Sequence, residues 1–191
     1  MMKARHISTL LVTGAISLAA SPAIADSSDT PQFNFVCQMN DGVPATVAKN
    51  AESGATEPIF NWKKEVLANK TSSTPQELCD NVTAKLEGYS TEGYDLSQIS
   101  FVGTNIADSG LPAICATSAG GRDCKKVLFT LNSSSTIDAP NIAQDVVTAL
   151  LNPALQGNKV VFNDRGVQST SYKVNFWELF NLSLAPKGLF K

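Results

Sequence analysis

The chain is 191 residues long, with 15 basic and 17 acidic side chains, a single His and 43% hydrophobic residues. That length fits one domain with a tail. The apolar fraction excludes a disordered or collagen-like chain, and nothing is basic enough to suggest a nucleic-acid partner.

Residues 1–25 read as a secretory signal peptide. Lys3 and Arg5 precede an apolar run from Leu10 to Ala20, and Ala23-Ile24-Ala25 fits the small-x-small cleavage rule. Ser17, Ser21 and Pro22 interrupt the run before it could span a bilayer. Cleavage after Ala25 leaves 166 residues with 13 basic and 17 acidic side chains, a formal charge of −4 and no His. Mature chains of this kind have no His-based acid–base catalysis, no Ser-His-Asp or Cys-His system and no His-ligated metal. No later apolar run is long enough for a transmembrane helix.

Residues 26–32 are polar and form a flexible lead-in. Phe33, Phe35, Cys37 and Met39 then alternate with other residues, which predicts a half-buried strand. Asn40-Asp41-Gly42 signals a hairpin turn into a second strand, Val43 to Lys49, and Pro58 to Lys63 reads as a third. Thr74-Pro75-Gln76-Glu77 combines an N-cap, Pro at the first helical position and the capping-box Glu. The helix it opens carries Leu78, Val82, Leu86 and Tyr89 on one stripe, with Cys79 at the edge. Ile99–Ile106, Leu111–Thr117 and Val127–Leu131 are three more strands. A second helix starts near Asp138-Ala139-Pro140, with Ile142, Val146, Ala149 and Leu150 as its stripe and Val147 alongside. Beyond Pro153, Val160 to Phe162 is apolar, Asn163 to Gly166 is a turn, and Tyr172, Val174 and Phe176 alternate like a strand. The expectation is an α+β domain: an antiparallel sheet of about six strands built from hairpins, with two helices packed on one face. The core domain would span 33–152, and 153–191 would be a C-terminal extension that packs on it or docks to a partner.

Cys37, Cys79, Cys115 and Cys124 make an even count behind a signal peptide, the pattern of two disulfides. Their spacing matches no zinc knuckle. Three pairings are open. The favoured one is Cys37–Cys79 with Cys115–Cys124: the helix stripe brings Cys79 toward a sheet carrying Cys37, and the Gly120-Gly121 stretch can reverse a short loop. On loop entropy the long bridge contributes about 4 kcal/mol and the short one about 2.7 kcal/mol.

Several of these segments together resemble the cyanobacterial circadian oscillating polypeptide (COP) family. They are Phe35-Val36-Cys37-Gln38, Gly42 to Ala48, Pro58 to Trp62, Thr74 to Cys79, Leu111 to Ala116, and Cys124 followed by Leu128 to Leu131. The likeness covers roughly 33–151. It implies a secreted or lumenal domain, membrane-associated from outside in some members, and it brings no catalytic residues.

The chemistry-bearing residues are sparse. The mature chain holds no G-x-S-x-G, S-x-x-K or phosphate loop, and Ser171 and Lys173 read as same-face surface neighbours on a strand. Glu52, Glu57, Asp108 and Asp123 sit in or near turns, where solvation explains them. A His-free envelope hydrolase using such paired carboxylates is the alternative. Asn163-Asp164 is a weak calcium pair, and Asn69-Lys70-Thr71 and Asn81-Val82-Thr83 match glycan acceptors, relevant only in a eukaryotic route. Tyr172, Phe176, Trp177 and Phe180 with Lys187 and Lys191 form an apolar-basic end, which either completes the core or docks to a surface. The expected activity is that of an exported, non-catalytic binding or structural module without cofactor or metal. It would act in the periplasm, thylakoid lumen or extracellular layer on an unknown exported protein or a membrane surface. An accessory domain regulating another exported protein is a further alternative.

Overall fold

Asp41 and Gly42 both adopt positive φ, 49° and 79°, the backbone of a two-residue hairpin turn whose twist matches its flanking strands. The turn joins β1 (Phe33–Asn40) to β2 (Val43–Asn50), with Asn40 opposite Val43 and Cys37 opposite Thr46. β3 (Thr56–Asn61) pairs on the other side of β2, through a bulge between Thr46 and Val47. A four-residue helix, α1 (Lys64–Leu67), follows β3 and buries Leu67; the sequence pattern gave no sign of it. The computed structural model describes residues 33–92, 94, 99–118, 121, 123–132, 139–164, 167–174 and 179–180, with side chains except at 90, 158, 162–164 and 167–169. These belong to one compact unit, Pro31–Lys191. The expected signal peptide and lead-in lie outside the described residues.

α2 (Pro75–Thr91) starts at the expected capping box: the Thr74 N–H donates to Glu77 Oε2 at 2.8 Å, and the Glu77 N–H to Thr74 Oγ1 at 3.2 Å. Its stripe of Leu78, Val82, Leu86 and Tyr89 is buried, and α2 lies over β1 and β2. Beyond it come β4 (Ile99–Asn105), β5 (Pro112–Ser118), β6 (Lys126–Thr130), α3 (Ala139–Leu150), a 3-10 helix (Pro153–Asn158), β7 (Lys159–Asp164) and β8 (Val167–Val174). β8 pairs with β4 on the edge that β5 leaves free, setting Ile99 opposite Val174. The strand order is β6-β5-β4-β8-β7, antiparallel throughout.

The α+β class and both disulfides therefore hold, but the strands divide into a three-stranded and a five-stranded sheet. The reason lies in β4. Both its edges are filled, by β5 and β8, so β3 has no place beside it. The outer edge of β3 is closed instead by the end of α3, through a Phe60–Leu151 bridge and the Asn152 N–H on the Ile59 carbonyl at 2.9 Å.

Each sheet has its own helix. α3 covers β4, β5 and β8. It sits so close that a Cβ on Gly103 would stand 2.4 Å from the Ala143 carbonyl carbon and the Gln144 nitrogen. The buried stripe of α3 is Ala143, Val146, Val147 and Leu150, with Ile142 half-buried. Ala149, expected on that stripe, is exposed, because 143, 146, 147 and 150 follow the i, i+3, i+4, i+7 spacing and 149 does not. The two halves share one core. Phe60 meets Phe101 edge-on with centroids 4.8 Å apart, and Trp62 meets Phe129 at 5.3 Å.

Candidate functional site

The first disulfide, Cys37–Cys79, staples β1 to α2 across a sequence separation of 42 residues. Cys79 is fully buried and Cys37 half-buried. Beside them Thr46 organises a buried polar cluster. Trp62 Nε1 donates to Thr46 Oγ1 at 3.0 Å, Thr83 Oγ1 lies 3.2 Å from it, and Cys79 Sγ lies 4.0 Å away. One hydroxyl thus joins β2, the residue that follows β3, and α2. The Trp indole needs that acceptor, since it is fully buried. On the outer side, Gln76 Nε2 reaches Cys37 Sγ at 3.3 Å and both Asp80 carboxylate oxygens at 3.2 Å.

The second disulfide, Cys115–Cys124, closes the loop after β5. Cys115 lies on the face of the five-stranded sheet opposite α3, with Val102 and Ala113. Ser100, Thr117 and Ser171 share this face and are fully buried. Ser100 stands between Thr117 and Lys173 in the ladder, and Ser171 stands opposite Val102. Thr117 Oγ1 and Ser171 Oγ have no hydrogen-bond partner among the described residues. Gly121 of the disulfide loop presses on Thr117: a Cβ there would lie 2.7 Å from the hydroxyl. Ser171 and Lys173 share a face as expected, but Ser171 is buried rather than a surface neighbour of the half-buried Lys173. The cause is that β8 is an inner strand, between β4 and β7.

The carboxylates stand on separate elements. Glu52 is exposed in the turn after β2, Asp108 in the β4–β5 turn and Asp123 in the disulfide loop, while Glu57 is half-buried on β3. Glu77 is held below the usual carboxylate range, first by the Thr74 N–H and then by its hydroxyl. Lys85 is shifted down by burial and by nearby Lys126; its ammonium donates to the Leu128 carbonyl of β6 at 2.6 Å. Lys126 in turn pairs with Glu92 at 2.6 Å. Among the described residues, no group of three or more His, Cys, Asp or Glu side chains could hold a metal, and no helix is long and apolar enough to cross a membrane.

Of the C-terminal aromatics, Tyr172 is buried in β8, with its hydroxyl 2.6 Å from Thr148 Oγ1 of α3. Phe180 is half-buried and stacks on Phe33 with centroids 5.3 Å apart. Phe176, Trp177, Lys187 and Lys191 lie outside the described residues. The residues that sequence reasoning did not single out are Thr46 and Gly103. A buried Thr opposite a half-cystine leaves no spacing signal.

A family model described as circadian oscillating protein COP23 matches residues 34–181. The chain belongs to this family. The match runs from β1 past β8, so the COP23 region takes in the two strands that complete the second sheet. No curated protein and no solved structure matches this COP23 chain.

Proposed function

We propose that this COP23-family chain is an exported, non-catalytic binding or structural module. It works in the periplasm, the thylakoid lumen or at the cell surface, on an exported protein or as a peripheral membrane component. The observation that carries this reading is that all four cysteines are consumed in disulfides, one per sheet. Such bonds persist in oxidising compartments and are rare in reducing ones. The absence of His after Ala25, and carboxylates spread over separate turns, support a binding role over hydrolysis.

Intact-mass analysis of the chain isolated from its cells tests export: the expected species begins at Asp26 and has no free thiol. A species beginning at Met1 with reduced cysteines would overturn it. Mild crosslinking of intact cells followed by capture of the chain tests binding. A defined extracytoplasmic adduct is expected. Docking through the C-terminal end is tested by co-sedimentation with anionic vesicles. A Phe176→Ser/Trp177→Ser variant should lose most of the binding, since apolar burial outweighs the contribution of two lysines, about 1 kcal/mol each.

A further inference from the structure

Two open sheets have four edge strands, and an edge strand offers unpaired backbone groups to another chain. On three of the four, another element bonds at least one main-chain group. On β1 the Phe35 N–H donates to the Glu87 carboxylate of α2. On β3 the Asn152 N–H and side-chain amide take the Ile59 and Pro58 carbonyls, each at 2.9 Å. On β6 the Lys85 ammonium takes the Leu128 carbonyl. The fourth edge, β7, pairs only with β8, and no described residue bonds its outer side. Val161, at its centre, is 46% exposed.

The direction of the β7 backbone follows from its neighbour. Thr170 stands opposite Val161, and its N–H donates away from β7, to Gln144 Oε1 of α3 at 3.2 Å. Thr170 and Val161 are therefore a non-hydrogen-bonded pair, and the N–H and C=O of Val161 point outward. By alternation the same holds for Lys159 and Asn163.

We propose that β7 is a self-association edge, on which two copies of this chain pair antiparallel about a two-fold axis through Val161. An isologous contact must set each residue opposite one on the same sheet face, so only registers centred on a residue are allowed. Centring on Val161 pairs Val161 with its own copy, Lys159 with Asn163 and Val160 with Phe162, and it uses every outward group of the strand. Centring on Phe162 would pair Val161 with Asn163 but leave the outward groups of Lys159 with no partner within Lys159–Asp164. Centring on Val160 would run Asn163 against Gly157 in the 3-10 helix, where no strand is available. The Val161 register joins two five-stranded sheets into one continuous sheet and covers the exposed valine.

The test is light-scattering mass and sedimentation velocity on the oxidised full chain over a range of concentrations. A twofold mass is expected. Val161→Pro removes an N–H that only the contact uses and leaves the β7–β8 bonds intact, so it should give a monomer that still melts cooperatively, at a temperature independent of concentration. Val161→Lys, which sets two ammonium groups together, should do the same and stands in if the Pro variant fails to fold. Amide exchange at Val161 and Asn163 should be slower in the dimer than in the monomeric variant. A wild-type chain that is monomeric throughout, or a dimer that persists in both variants with fast exchange at Val161, would overturn the proposal.

Discussion

Thr46 has one hydroxyl and serves a buried Trp indole, a Thr and a half-cystine at once. Thr46→Val keeps the shape and strands the Trp62 N–H, so it should cost about 1–3 kcal/mol in urea titration. Thr74→Ala should cost about 1 kcal/mol through loss of the N-cap. Glu77, in the same box, has its acidity raised by ligation of the carboxylate. Because its folded pKa lies below its ordinary value, the stabilisation is present above that ordinary value, 4.5, and is lost as pH falls through the folded pKa. A Glu77→Gln variant should therefore be less stable than the parent near neutrality and converge with it in acid, when denaturation midpoints are compared across pH. Gly103→Ala should be among the most damaging single-methyl changes, because the atoms in its way are helix backbone, which cannot rotate aside. The capping box was legible from Thr74 to Glu77 because all its parts are local. Gly103 was not, since its neighbour lies some forty residues along the chain, on another element.

At the level of elements, α2 ties both sheets together. Cys79 fixes it to β1, and Lys85 and Glu92 fix it to β6. Leu78→Ala, on its buried stripe, should cost roughly 2–5 kcal/mol. Paired removal of Cys37 and Cys79 should lower the melting temperature more than paired removal of Cys115 and Cys124, because the first bond closes the longer loop. Calorimetry of the two double variants gives the order directly. β7 and β8 are part of the sheet: Tyr172 and Val174 are buried in the core, and the Thr170 N–H and Tyr172 hydroxyl are bonded to α3. Deleting residues 157–191 should therefore abolish the cooperative thermal transition. The hairpin at Asp41-Gly42 was readable because the turn chemistry and the alternation sit within a few residues of each other. The division into two sheets was not, because it depends on which late strand reaches β4, and alternation says nothing of distant partners.

For the whole molecule, β4 carries the largest topological consequence. Its edge from Ile99 to Val102 is filled by residues 171–174, which enter the chain long after β5 and β6 are complete. Pairings of such sequence separation are slow to form, since the intervening loop must close before any contact rewards it. The first sheet has the opposite character: its three strands follow one another through short turns, and only its outer edge waits for Leu151 and Asn152. The molecule thus has an early half and a late half. A chain still emerging from the ribosome could assemble β1 to β3, but would hold the inner strand of the second sheet with one side bare until its final third appeared. For the exported chain proposed above, that delay would be an asset. The second sheet is withheld by its own connectivity until the C-terminal strands arrive.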